Sequence, residues 1–366
     1  MSGPADEQMA GTGKCGPLEN DGERGGVGVS GRPDFGSWAE AARAAERRGD
    51  SAAALRAWDE ALASLEAPET DPRTADVLRY MGTVYRERGE TDRAERRYRE
   101  SYARAERMGY DDGTAQAGNW LGVIALGRGG LGEAEARFHH ARRLAWRSGN
   151  DRLAGAVEQN LGILANIRGD LDVALTHYRS ALAQFRMAQD DWMAGLVLNN
   201  LGLLHTDIGL WDEAENTFRE AHEVAVSTGN PMLENSVEVN RAELLIARGD
   251  WEGARQACGR ARELAQRRHD AQREAEALKF MGVIAREEGS LADAQREFDE
   301  AEALARAADD RLLMAEVAKE TGELYRRQNR IDLARIAWSR ALDLFQAMGA
   351  RLDLRDTEER LRALAA

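Results

Sequence analysis

One pattern of residues recurs eight times in this chain at a constant spacing of forty. A small residue stands at Ala42, Gly82, Gly122, Gly162, Gly202, Ala242, Gly282 and Gly322. Seven residues after each comes glycine, from Gly49 through Gly289, with Asn329 ending the series. Alanine follows five further on, from Ala54 to Ala334, and four beyond it stands a bulky residue: Trp58, Tyr98, Phe138, Tyr178, Phe218, Phe298 and Trp338, with Cys258 as the exception in repeat six. A period of this length excludes a single central core. Each unit is too small to bury its own apolar face, so neighbours must stack into a solenoid.

Numbered from the start of each register, the repeats are 35–74, 75–114, 115–154, 155–194, 195–234, 235–274, 275–314 and 315–354. Position 10 is apolar in every repeat (Ala44, Val84, Ile124, Leu164, Leu204, Leu244, Ile284, Leu324), and position 7 is so in most. Spacings of three and four place these on one helical face. The glycine at position 15 ends the first helix in a left-handed conformation. Asp50, Asp170 and Asp250 follow it as expected caps of the second helix. That turn absorbs three Arg-Gly-Asp triplets, at Arg48–Asp50, Arg168–Asp170 and Arg248–Asp250, which therefore read as structure. The glycine at position 8 lets a neighbouring helix approach closely, and the aromatic at position 24 fills the gap between hairpins.

Residues 1–34 are of another kind, with nine glycines and few large apolar side chains. Such a segment buries too little surface to offset its ordering entropy, so a disordered tail is expected. It contains Gly26-Val27-Gly28-Val29-Ser30-Gly31, but the strand and helix that a dinucleotide fingerprint needs on either side are missing. Gly11-Thr12-Gly13-Lys14 likewise fails as a phosphate loop, because Cys15 stands in place of the hydroxyl residue. After the last repeat the pattern continues into a capping helix over 355–366, with Leu361 and Leu364 on its apolar side.

The pattern resembles the tetratricopeptide-repeat family, whose signature of aromatic, Leu, Gly, aromatic, Ala, aromatic, Ala fits residues 35–354. Trp38, Leu78 and Leu198 hold the first signature position, and Glu158 and Glu238 depart from it. The forty-residue period, longer than the family's usual one, is similar to that of LGN/Pins-type adaptors, kinesin light chains and bacterial Rap-type regulators. The resemblance implies an all-α fold: a right-handed α-solenoid of eight helical hairpins plus a C-terminal capping helix. It also implies a concave groove lined by the first helices. The function implied is a non-enzymatic scaffold that binds a peptide segment of a partner in that groove. The alternative is a peptide-gated, Rap-like regulator that releases or sequesters a partner.

The groove positions of the family map here to an amide-rich middle: Asn119, Trp120, Asn160, Asn166, Asn199, Asn200 and Asn240. Side-chain amides both donate and accept, so a ladder of them can hold an extended backbone. The same asparagines can equally bond the next repeat. Basic residues recur at positions 5 and 12 of repeats two, seven and eight, as Arg79, Arg86, Lys279, Arg286, Lys319 and Arg326. They can receive acidic groups of a partner, or form a solvated charged face.

The rest of the chain narrows the function classes. A formal net charge of −14 disfavours nucleic acid and anionic membrane as general partners. The start, Met1–Gly11, lacks an apolar signal, so a soluble cytoplasmic protein is expected. Neither His-Glu-x-x-His nor Cys-x-x-Cys occurs, and no metal or cofactor is expected. His205 reads as an interior histidine and Cys258 as a packed thiol. Repeat six combines Ala242, Arg241, Cys258, Gly253 and Gly259, and is expected to be locally soft.

Overall fold

The computed structural model describes residues 33–348 and 351–364; the tail glycines, Cys15 and both glycine-rich motifs lie outside these. Among the described residues there are seventeen helices and no strand. The chain divides into two compact units, one ending at Asp190 and one running on from Asp191.

The first unit holds four hairpins. They are α1 (Phe35–Arg47) with α2 (Ser51–Ala63), α3 (Arg73–Glu87) with α4 (Thr91–Met108), α5 (Asp111–Gly127) with α6 (Leu131–Ser148), and α7 (Asp151–Arg168) with α8 (Leu171–Met187). The second unit holds α9 (Asp191–Asp207) with α10 (Trp211–Ser227), α11 (Pro231–Arg248) with α12 (Trp251–Arg268), α13 (Ala271–Glu287) with α14 (Leu291–Ala307), α15 (Arg311–Arg327) with α16 (Ile331–Met348), and the closing helix α17 (Arg351–Ala363). From α5 to α15 each first helix begins four residues ahead of the register used for counting, as at Asp151 against 155. Repeat one is the irregular hairpin. Pro68 and Pro72 stop α2 early, and the Thr74 hydroxyl closes the loop by donating to the Pro68 carbonyl at 2.7 Å.

Each hairpin is closed by the same turn. Gly169 (φ +83°) is left-handed there, and the Asp170 amide bonds back to the Ala165 carbonyl at 2.9 Å. Asn329, which breaks the glycine series, adopts the same conformation (φ +58°). Asp50 and Asp250 cap the following helices, accepting from the Ala53 and Gly253 amides. Asp170 makes no side-chain cap bond, contrary to the expectation from its position. The arginine before the glycine ties adjacent hairpins together: Arg168 binds Glu135 through two nitrogens at 2.9 Å, and Arg128 binds Asp92 and Glu95.

The close approach at position 8 is made by the second helix of the same hairpin. A methyl group placed on Gly162 would lie 2.7 Å from the Tyr178 ring, and one on Gly122 would lie 2.5 Å from Phe138. The glycine thus receives the aromatic of its own second helix, and the two residues form one contact within the hairpin. Repeat six replaces both members together. Ala242 and Cys258 are buried in one cluster, so the methyl group occupies space that a ring takes elsewhere. Burial pushes the Cys258 thiol up to about 12, consistent with a packed, inert sulfur.

The two glycines of α12 differ in kind. Gly253 lies against the capping carboxylate of Asp250, where a side chain would collide, whereas a methyl group on Gly259 meets nothing within 4 Å. Gly259→Ala should therefore stabilise the protein by about 0.5–1 kcal/mol, read as a higher denaturation midpoint with unchanged helicity.

Curvature follows from which helices meet. Besides its own partner, a first helix after repeat one touches the next first helix of its unit: α3 with α5, α5 with α7, α9 with α11, α11 with α13 and α13 with α15. Successive second helices make no comparable contact. Each unit therefore curves with its first helices on the inside. At the end of the second unit α17 packs on α16, with Thr357 buried and Leu361 half-buried.

Candidate functional site

The inner face of a first helix is a stripe of positions three, four and seven apart, and it gathers most of the residues expected to bind a partner. In the first unit Asn119 and Asn160 are buried, and the Asn160 amide donates to the Asn119 carbonyl oxygen at 2.9 Å. In the second unit Asn240 donates to Asn199 at the same distance, 2.9 Å. Asparagines one repeat apart thus form rungs between neighbouring first helices. Asn200 is only 7 % exposed, yet its side chain makes no hydrogen bond among the described residues. Asn166 is half-buried and also makes no side-chain hydrogen bond among them.

Trp120 is half-buried, stacks on Tyr98 with ring centroids 5.9 Å apart, and carries the Arg86 guanidinium 4.3 Å above its ring. Arg79 is buried beside Tyr80 and lies 3.5 Å from Asp76, whose carboxyl is raised by burial.

The three other expected cationic contacts are all engaged within the second unit. Lys279 Nζ lies 2.5 Å from Glu316 Oε2, and although burial opposes its charge, Glu316 and Glu243 hold its pKa above the usual lysine range. Arg286 binds Glu320 Oε2 at 2.6 Å and Glu287 at 3.1 Å. Lys319 reaches Asp353 at 2.9 Å and Asp356 at 3.8 Å. These pairs link first helices one repeat apart, so the basic residues brace the stack.

Two inner-face groups were missed by reasoning from the sequence. Asp207 on α9 and Glu243 on α11 are half-buried and have no hydrogen-bond or ion-pair partner among the described residues. Burial raises both carboxyls, and for Glu243 the Asp207 charge adds to the rise while Lys279 opposes it.

Away from the inner face, the departures at the first signature position prove to be buried carboxylates. Glu158 meets His177 Nδ1 at 2.6 Å and Arg142 at 3.6 Å. Glu238 meets Arg260 at 2.8 Å, with His222 Nδ1 at 3.4 Å. His205 is buried with Nδ1 3.1 Å from the Thr217 hydroxyl, as an interior histidine should be. Among the described residues no group of three or more His, Cys, Asp or Glu is placed to hold a metal ion, and no helix is long and apolar enough to cross a membrane.

A profile of the tetratricopeptide repeat matches residues 36–107. No curated protein matches the chain. Among solved structures, the apo form of RapI is similar, with 14 % identity and a TM-score of 0.60 over 75 % of this chain and 98 % of that one. A Rap protein complexed with competence and sporulation factor is similar over 99 % of this chain and 98 % of its own, at 12 % identity and a TM-score of 0.59. The third is a signal-transduction ATPase with numerous domains from Pyrococcus horikoshii, which has a tetratricopeptide-repeat sensor; it has 14 % identity and a TM-score of 0.63 over 86 % of this chain. This chain spans 48 % of that ATPase's length. At such identities these likenesses establish the fold. With the matched hairpins at 36–107 and the same glycine–aromatic contact recurring as far as Trp338, the fold is an α-solenoid of the tetratricopeptide-repeat type.

Proposed function

We propose that this protein is a non-enzymatic interaction scaffold that takes a peptide segment of a partner protein along the inner face of its first helices. The observation that carries the reading is the state of that face. It combines apolar side chains such as Leu203 with polar side chains that make no hydrogen bond among the described residues, Asn200 above all. An amide that makes no bond within the fold can donate to and accept from a bound peptide backbone. The rungs Asn160–Asn119 and Asn240–Asn199 hold the helices that present this face. Their role is to position it.

The test is capture of partners on the full chain. Leu203→Trp fills the inner face of α9 and should abolish capture. Ile336→Glu changes a 64 %-exposed residue on a second helix and should leave capture intact. Circular dichroism confirms folding of both. The opposite result, with capture lost only in Ile336→Glu, would assign binding to the outer face.

A peptide-gated regulator is the second reading. Likeness along nearly the whole chain to a Rap protein solved with competence and sporulation factor favours it. Small-angle scattering separates the two, because gating requires a change in dimensions when peptide binds.

A further inference from the structure

The second helices of the first unit carry a positive patch on a chain whose net charge is −14. Its centre is α6. That helix has four arginines, Arg137, Arg142, Arg143 and Arg147, two histidines, His139 and His140, and only two carboxylates. Both carboxylates are engaged, Glu133 by Arg137 at 3.3 Å and Glu135 by two nitrogens of Arg168 at 2.9 Å. Arg147 is held by Asp111. Arg142 and Arg143 are not matched in this way. Arg142 comes no closer than 3.6 Å to Glu158, beyond hydrogen-bond distance, and that carboxylate is bound by His177 at 2.6 Å. Arg143 is exposed and has no carboxylate partner among the described residues; its one hydrogen bond goes to His140 Nδ1 at 3.1 Å. Burial and the nearby Arg142 charge lower the pKa of His139, in keeping with a local excess of positive charge.

A second observation marks the same face. Trp146 follows Arg142 and Arg143 by four and three residues, so the three share one side of α6. Its ring is 57 % exposed, with the Arg142 guanidinium 5.4 Å from its centroid. The same register holds Glu106, Arg186, Gln266, Arg306 and Gln346 in other repeats, so a large ring there is not needed to close a hairpin. Met187, 65 % exposed, ends α8 one repeat on and adds an apolar side chain to the same edge of the unit. An arginine stacked on an aromatic ring keeps the N–H groups at its edge available to a carboxylate.

We propose that this face of α6 docks an acidic segment of a partner protein, with carboxylates on Arg142 and Arg143 and an apolar side chain against Trp146. Charge complementarity selects the partner. Guanidinium groups take carboxylates through paired, charge-assisted bonds about twice as strong as neutral ones. The exposed ring supplies the apolar contact area that such bonds alone lack. The surface lies on a second helix, away from the inner face, so it stands or falls independently of the groove reading. It moves the acidic preference expected from the sequence to other residues, because Lys279, Arg286 and Lys319 are neutralised inside the fold and Arg143 is not.

The experiment is selection of a random decapeptide library on the immobilised full chain, wild type beside Arg143→Glu/Trp146→Ser and Leu203→Trp. Arg143 and Trp146 are both exposed, so the double variant should keep the circular dichroism of the wild type. The wild-type pool should contain a class rich in aspartate and glutamate with a large apolar residue. A peptide of that class should bind the double variant tenfold or more weakly, bind Leu203→Trp unchanged, and lose affinity as salt is raised. A pool without an acidic class, or an acidic class that the double variant retains, overturns the proposal. So does an acidic class that Leu203→Trp excludes, which would lie in the groove. Sedimentation of the wild type alone checks another occupant: a dimer that the double variant abolishes would assign this face to a second copy of the chain and overturn the proposal as well. Loss of non-acidic peptides in Leu203→Trp bears on the groove reading alone.

Discussion

Cys258→Phe should destabilise the protein by about 1–3 kcal/mol, and Ala242→Gly on the same chain should restore most of the loss. In six other repeats the ring at position 24 rests directly on a glycine, at Gly82, Gly122, Gly162, Gly202, Gly282 and Gly322. A phenylalanine at 258 would meet the Ala242 methyl group instead. Ala242→Gly alone should also destabilise, by about 1 kcal/mol or more, because it adds a glycine to a helix interior and removes a buried methyl group. The two changes therefore couple strongly, which a double-mutant cycle in urea measures directly. Repeat one shows what an alanine at this position demands of a large ring. Beside Ala42, the Trp58 indole is turned to donate to Glu46 at 2.7 Å, whereas Trp338, beside Gly322, donates to the Lys319 carbonyl at 2.9 Å. Strictly additive effects at 242 and 258 would show that the two positions do not share one space.

Glu158→Ala should cost about 2–4 kcal/mol, and Glu158→Leu less by the cavity it does not open. The Glu158 side chain is 3 % exposed and holds both His177 and Arg142. Alanine removes the acceptor and opens a cavity, leaving the two basic groups without their carboxylate. Leucine, the residue at the same register in repeats two and five, fills the space and so removes the cavity part of the cost, although it too leaves His177 and Arg142 without their carboxylate. Thermal and urea denaturation of the three proteins decide it. Equal losses for alanine and leucine would mean that the carboxylate, not the volume, stabilises this site.

How far the sequence is legible depends on whether a residue acts locally or across repeats. Helix faces, the left-handed turn and the capping aspartates are local, and they can be read from spacing with Asp170 as the failure. Asp170 occupies the cap position, yet its side chain forms no cap bond. The contact between position 8 and position 24 spans a hairpin. Spacing identifies its members but not that they touch, so Ala242 and Cys258 look like two defects when they are one exchange. The binding face depends on pairings forty residues apart. Lys279 and Glu316, or Asn240 and Asn199, find each other only once the curvature of the unit is known. The basic residues therefore read as available when they are engaged, and Asp207 and Glu243 pass unnoticed among sixty-four acidic residues.

The most direct measurement is photocrosslinking in the native cell with a benzophenone amino acid placed at position 203 or at position 336. Binding along the first helices predicts a crosslinked partner from position 203 and none from position 336. A partner trapped from position 336 alone would contradict it.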